Sequence, residues 1–141
     1  MTTRPLQEDD HIAVVTVVDA WWGGREVAHL LPRLFFQHFS DTSFAMDDES
    51  GRLIAFLVGF LSQSRLGEAY IHFVGVDPAY RGEGLGRALY QQFFEAAGAR
   101  DARLARAITS PLNEGSIRFH KALGFRFDPG DDVVNGVPVT T

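Results

Sequence analysis

Tyr70 to Ala97, YIHFVGVDPAYRGEGLGRALYQQFFEAA, reads as a strand, a glycine-rich turn and a helix in direct succession. The strand spans about Glu68 to Val76, is aromatic and β-branched, and stops at Asp77-Pro78, since proline cannot extend a hydrogen-bonded ladder and restricts the residue before it. Gly82, Gly84 and Gly86 then lie in a loop flanked by Arg81 and Arg87. From Leu85 the residues Leu85, Leu89, Phe93 and Ala96 recur at helical spacing. Glycine positions let backbone N–H groups converge, and a helix start adds positive partial charge, so this arrangement suits a phosphate or pyrophosphate. The plain alternative is a surface loop with a good helix start. No GKS or GKT follows, against a nucleotide triphosphate loop. The alternating glycines look like a dinucleotide fingerprint, but a loop in the middle of a short chain leaves too little sequence for a double mononucleotide fold.

The 141 residues suffice for one domain, 1–141, with a proper core. The net charge of −5 opposes nucleic acid as a main partner, although Arg81, Arg87 and Arg118 allow a local basic patch. Without cysteine there is no disulfide, thiolate metal site or cysteine nucleophile, which fits a cytoplasmic setting. The start MTTRPLQEDD shows no signal-like cleavage site, and the longest apolar run, Leu53 to Leu61, is too short to cross a bilayer; the expectation is no membrane association.

Upstream, residues 3 to 7 suit a short edge strand because Pro5 is tolerated there. Asp9 or Asp10 caps a helix whose face is Ile12, Val15, Val18 or Asp19, and Trp22. Trp21-Trp22-Gly23-Gly24 breaks it. A second helix is expected over Val27 to Phe39 with Leu30, Leu31, Leu34 and His38 as a buried stripe, begun anew or bent at Pro32. Thr42–Met46 and Leu53–Leu61 form a hairpin around an acidic tip, Asp47-Asp48-Glu49, with the second arm central in the sheet. Downstream, Arg103–Thr109 is a strand, Asn113–Leu123 a helix and Phe125–Phe127 a returning strand. Strand 68–76, helix 85–97 and strand 103–109 fit one right-handed parallel crossover. The class is α+β: a mixed central β-sheet, antiparallel in its first half and with a parallel crossover after the fourth strand, with helices on both faces.

Two motifs at this spacing resemble the GCN5-related N-acetyltransferase (GNAT) superfamily of acyl-CoA-dependent acyltransferases. Val76-Asp77-Pro78-Ala79-Tyr80-Arg81-Gly82-Glu83-Gly84-Leu85-Gly86 resembles the family's V-x-P-x-x-R-G-x-G-x-G signature. Asn113 is followed at the family's spacing by Ser116, Phe119 and Leu123-Gly124-Phe125. The resemblance covers about residues 3 to 127 and implies the GNAT fold, acetyl-CoA as acyl donor and an amine acceptor. It implies that backbone N–H groups of Arg81, Gly82, Glu83, Gly84, Leu85 and Gly86, with Arg87 beside them, hold the pyrophosphate. Strands 68–76 and 103–109 would splay apart, a bulge at Gly75 would free backbone groups of Val74 and Val76 for the coenzyme, and Asn113, Ser116 and Phe119 would meet its arm.

Acyl transfer needs a neutral amine, a stabilised carbonyl oxygen and, where an acid is used, a proton for the departing thiolate. Period two puts Glu68, Tyr70 and His72 on one strand face, making Glu68 and His72 the base candidates. The bland readings are a solvated strand start for Glu68 and a hydrogen-bonded core residue for His72. The family commonly has tyrosine where this chain has His120, a departure that leaves an imidazole near the sulfur or a polar residue on the helix exterior. Trp21 and Trp22, with Tyr70, are candidate acceptor-site residues, or the tryptophans are a helix-end anchor. The five histidines lack metal-binding spacing, so no metal is expected.

After Phe127 only DPGDDVVNGVPVTT follows. Val133–Val134 and Val137–Val139 suggest a short strand pair around an Asn135-Gly136 turn, leaving no full final strand. Segment 128–141 would then be disordered, truncated or exchanged, and exchange or an open edge favours a homodimer. The favoured activity is acetyl transfer from acetyl-CoA to a small-molecule, amino-acid or peptide amine in a ternary complex. The alternative is a non-catalytic acyl-CoA-binding or regulatory domain.

Overall fold

The structure, a computed structural model, describes residues 2–108, 114–127 and 133–138. The apolar run of strand β3 (Leu53–Leu61) lies at the heart of a mixed sheet, between β2 (Phe44–Asp47) and β4 (Glu68–Val76). A strand with neighbours on both sides and helices over both faces must be apolar throughout, which is what the run LIAFLVGFL supplies. Short β1 (Thr3–Pro5) closes one edge, where Pro5 needs no donor. Beyond β4 come β5 (Leu104–Ile108), β7 (Val133–Pro138) and β6 (Arg126–Phe127), giving the order β1-β2-β3-β4-β5-β7-β6. Among the described residues only β4 and β5 pair parallel.

Helix α1 (Asp10–Trp21) covers one face and α3 (Leu85–Gly98) the other. Against α1 lie Phe56 and Val58 of β3; against α3 lie Leu57 of β3 with Ala69 and Ile71 of β4. Glycines on the two central strands make room for one ring on each face. A Cβ on Gly59 would overlap Phe93 of α3, and one on Gly75 would lie 2.5 Å from Phe56. No described helix is long and apolar enough to cross a membrane.

Four local expectations change. The buried face of α1 is Val14, Val18 and Trp21, while Ile12 is 65% exposed, because the helix lies on the sheet through the i, i+4, i+7 stripe displaced from the one read in sequence. The continuous helix over Val27–Phe39 is broken into a 3₁₀ turn at Ala28–Leu30 and a short α2 at Leu34–His38. Leu31, preceding Pro32, adopts φ −123° and ψ 62°, out of the helical region that a following proline disfavours. Leu31 and Phe36 are buried, whereas Leu30 and Leu34 are exposed.

The bulge in β4 is not at Gly75, which pairs regularly with Phe56. Phe73 pairs with Val58 and Ile71 with Gly59, leaving His72 as the extra residue. The insertion reverses the alternation: Ala69 and Ile71 pack toward α3, and after the bulge so do Val74 and Val76. At the C-terminus Asn135-Gly136 is not a hairpin turn. Val133–Pro138 is one strand between β5 and β6, with Ala105 facing Val137 and Ala107 facing Val134, so Asn135-Gly136 forms a bulge opposite Arg106.

Candidate active site

The glycine-rich loop is fixed at its entry by Asp77. Its N–H donates to the Ile54 carbonyl at 2.8 Å, and its buried carboxylate accepts the Ala79 N–H at 2.9 Å and Arg52 at 3.0 Å. Pro78–Tyr80 forms a 3₁₀ turn from this cap. Arg81 (φ −67°, ψ 147°) and Gly82 (φ 84°) then have the dihedral pattern of a type II turn, and Gly84 enters α3 at φ 82°. Open space lies where a Cβ of Gly82 or Gly84 would stand, so backbone conformation rather than crowding within the chain calls for glycine there. The N–H groups of Gly82 and of residues 84–87 meet no acceptor among the described residues, and no side chain caps the helix. These donors lie in an exposed loop at the positive end of a 14-residue helix, an arrangement that suits a diphosphate.

Arg81 departs from the expected donor set. Its N–H turns toward the Pro78 carbonyl at 3.4 Å, and its guanidinium donates to the Trp21 carbonyl at 2.7 Å. Glu83 and Arg87 are exposed, and Leu85 is buried as the first apolar contact of α3.

Strands β4 and β5 pair only over Glu68–Ile71 with Leu104–Ala107. From His72 to Val76, β4 continues with β3 on one side and no strand partner on the other among the described residues. The Asp77 N–H points to β3, and strand N–H groups alternate in direction, so those of Val76 and Val74 point into the opening.

His72, the bulged residue, stands at the start of this opening. Its Nε2 lies 2.6 Å from the Leu30 carbonyl, and its ring stacks on Phe35 with centroids 4.3 Å apart and planes 8° from parallel. Leu30 and Leu31 are held together by histidines, since His11 Nε2 lies 3.0 Å from the Leu31 carbonyl. Tyr70 is half-buried against Phe60, and burial raises its phenol above the usual range. Glu68 stands one helical-turn equivalent away in sequence but about 13 Å along an extended strand from His72. Its carboxylate accepts from Arg106 Nε at 2.5 Å, on the paired part of β4.

Trp21 does not line an opening. It is 6% exposed and stacks on Phe56 in the core. Trp22 is half-buried and lies on Phe73, 4.8 Å between centroids, beside the unpaired stretch of β4. Gly23 (φ 68°) and Gly24 (φ 90°) turn the chain away, and Asp19 holds the returning segment by accepting from the Val27 and Ala28 N–H groups.

His120 is neither a helix-exterior residue nor free to meet a sulfur. On α4 (Glu114–Ala122) it is 6% exposed, packed among Phe119, Phe125 and Tyr90 of α3. Its Nδ1 donates to the Ser116 carbonyl at 2.7 Å, which leaves Nε2 to accept the Tyr90 hydroxyl at 2.7 Å. Burial lowers the imidazole pKa and raises that of Tyr90, so the pair is neutral. Ser116 also approaches His120 with its hydroxyl, and Phe119 packs against Tyr90 and beneath Gly86, where a Cβ would stand 3.4 Å from the ring. Asn113 lies outside the described residues. No metal-binding group of three or more His, Cys, Asp or Glu occurs among the described residues.

Sequence reasoning did not single out the Asp77 cap with Arg52, the Tyr90 hydroxyl, or the Arg81 bond to α1. Asp-Pro after a strand is a readable cap signal; the other two depend on contacts between distant segments.

The family model described as acetyltransferase (GNAT) family matches residues 9–125. An N-alpha-acetyltransferase RimI of Mycobacterium tuberculosis is 33% identical over 75 residues, covering 50% of this chain and 46% of that protein. An L-2,4-diaminobutyric acid acetyltransferase of Chromohalobacter salexigens is 27% identical over 119 residues, covering 77% and 62%. The matches therefore span less than two thirds of these curated relatives. In fold, the diaminobutyrate acetyltransferase EctA of Paenibacillus lautus, solved with its substrate and coenzyme A, superposes with a TM-score of 0.78 at 17% identity over 98% of this chain and 94% of that one. With the glycine loop, the splayed strands and a family match over most of its length, this chain belongs to the acetyltransferase (GNAT) family.

Proposed function

We propose that this protein is an N-acetyltransferase that moves an acetyl group from acetyl-CoA to a primary amine by direct attack within a ternary complex. The observation that carries the reading is the set of N–H groups at Gly82 and residues 84–87 that meet no acceptor among the described residues, directly beside a β4 edge with no strand partner from His72 onward among those same residues. The loop donors would hold the coenzyme diphosphate, and the Val74 and Val76 backbone would pair with its pantetheine arm. Acetyl-CoA supplies an activated thioester, whose acyl carbon takes the amine as CoA leaves as a thiolate. Phe119 supports the loop from below through Gly86. Ser116 would act from α4, and Asn113, outside the described residues, is a further proposed contact of the coenzyme.

His72 is the general base. Its Nε2 hydrogen is committed to Leu30, so Nδ1 carries the lone pair that would take a proton from the acceptor ammonium, directly or through water. A backbone N–H at Val74 would stabilise the carbonyl oxygen. Glu68 serves better as the ion-pair partner of Arg106 than as a base, and His120 as part of the core. Trp22 and Tyr70 flank His72 on the acceptor side. The relatives named above are an N-alpha-acetyltransferase and an L-2,4-diaminobutyric acid acetyltransferase, which supports a primary amine of a small molecule, amino acid or peptide as the acceptor class.

A thermal-shift titration with acetyl-CoA, followed by thiol-release assays across amines, tests the proposal. Saturable stabilisation with release of CoA thiol for at least one amine is the expected result. Uptake without turnover for any amine would leave a non-catalytic coenzyme-binding domain, and no uptake would end the reading.

A further inference from the structure

Helix α1 ends in a cap that its own backbone leaves incomplete. Trp22 N–H donates to the Val18 and Asp19 carbonyls, Gly24 N–H to Asp19 at 2.8 Å, and Gly23 N–H to Ala20 at 3.1 Å. These are the reciprocal bonds of a Schellman-type stop with Gly23 in the left-handed region. Among the described residues no backbone N–H reaches the Trp21 carbonyl. The donor to it comes from sixty positions along the chain, the Arg81 guanidinium, at 2.7 Å. A cation at the negative end of a helix gains from the dipole as well as from the hydrogen bond.

The free donors of the glycine loop are backbone N–H groups, so an anion there has no need of the Arg81 side chain. That side chain instead joins the loop to the residue preceding Trp22, whose ring rests on Phe73 at 4.8 Å next to His72. We infer that Arg81 is a positioning residue: its guanidinium ties the α1 terminus to the coenzyme loop, so that filling the loop sets the position of Trp22 over the β4 opening. This deepens the acetyltransferase reading and rests on the loop being a coenzyme site. It separates two tasks in one motif residue, with coenzyme affinity belonging to the main chain and acceptor-side geometry to the side chain.

The chain's two tryptophans, Trp21 and Trp22, give a readout that needs no knowledge of the acceptor. The protein is titrated with CoA while binding is followed by calorimetry and tryptophan emission in parallel. The wild type is expected to bind CoA with a change in emission that disappears in Trp22→Phe. Arg81→Ala is expected to keep the CoA dissociation constant within about twofold while losing most of the emission change, and Arg81→Lys, which retains one donor, to restore part of it. A tenfold or greater loss of CoA affinity in Arg81→Ala would place the side chain on the anion and overturn the inference. So would a full emission change in Arg81→Ala, a change that survives Trp22→Phe, or CoA binding by the wild type with no change at all. Failure of the wild type to take up CoA would end the coenzyme reading and the coupling with it.

Discussion

His72 Nε2 lies 2.6 Å from the carbonyl oxygen of Leu30. A carbonyl can only accept, so this contact assigns the hydrogen to Nε2 and the lone pair to Nδ1 without reference to any reaction. The parallel Phe35 ring holds the imidazole plane, and the bulge holds its Cα where β4 leaves β5. As the proposed base, His72 would act through this lone pair, whereas the proposed coenzyme contacts belong to another loop. His72→Gln keeps an amide donor for Leu30 but removes the titratable base. It is expected to lower kcat about 100-fold or more while leaving acetyl-CoA affinity unchanged, as measured by steady-state kinetics and calorimetry.

Glu68 gives the opposite expectation. Its carboxylate is bonded to Arg106 where the two strands are still paired, on the order of 13 Å along the strand from His72. Glu68→Gln leaves the arginine with a weaker, neutral partner. Stability should fall by about 1 kcal/mol in denaturant unfolding, with kcat reduced by less than about tenfold. A loss of kcat as large as that of His72→Gln would make Glu68 the base.

The difference between these two carboxylate and imidazole candidates was only half readable from the chain. Period two put Glu68, Tyr70 and His72 on one face, and the β3 and β4 boundaries followed from apolar runs ended by turn residues. The glycine loop and α3 were legible because left-handed turns and helical spacing leave local marks. The bulge at His72 was not, since it arises from pairing with β3 and Gly75 was the more permissive residue by itself. Gly75 is occupied with a packing task against Phe56, which no local pattern announces. Trp21 and His120 lie in the core for the same reason: burial against Phe56 and against Tyr90 is decided by tertiary packing. Asn135-Gly136, the strongest short-range turn signal of the tail, became a bulge once a strand lay on each side of it.

The Gly75–Phe56 contact can be tested by itself. A methyl at Gly75 would stand 2.5 Å from the Phe56 ring edge, and Phe73 to Val76 pair without interruption with β3, so the ring must move. Gly75→Ala is expected to destabilise the protein by about 1–3 kcal/mol, as overpacked cores do. Combining it with Phe56→Leu should cost less than the sum of the two single changes, an interaction that a double-mutant cycle in denaturant measures.

At Gly84 the restriction is conformational. Its φ of 82° disfavours a side chain, yet a Cβ would meet nothing within 4 Å. Aspartate tolerates the left-handed region better than most residues, so Gly84→Asp should fold. It also sets a carboxylate beside the free N–H groups at the start of α3, where it would compete with and repel an incoming diphosphate. The expected outcome is a folded protein by circular dichroism whose acetyl-CoA affinity is lower by at least about 100-fold. Undiminished binding would show that the anion sits elsewhere.

The Tyr90–His120 pair predicts a stability signature in mild acid. Burial holds the His120 pKa below its ordinary 6.5, against a smaller opposing pull from the Ser116 carbonyl. Between that lowered value and 6.5 the unfolded chain binds more protons than the folded one, so stability rises with pH across this window. The contribution is complete above about pH 6.5 and is lost as pH falls toward the folded-state value. Protonation at Nε2 would also remove the acceptor for the Tyr90 hydroxyl, which burial keeps protonated. His120→Gln should therefore flatten the dependence of melting temperature on pH between about 7 and 5, whatever it costs at pH 7. Tyr90→Phe leaves Nε2 buried without its donor and should cost about 1–3 kcal/mol at neutral pH. An equal fall of melting temperature with acid in wild type and His120→Gln would show that other groups govern the acid limb.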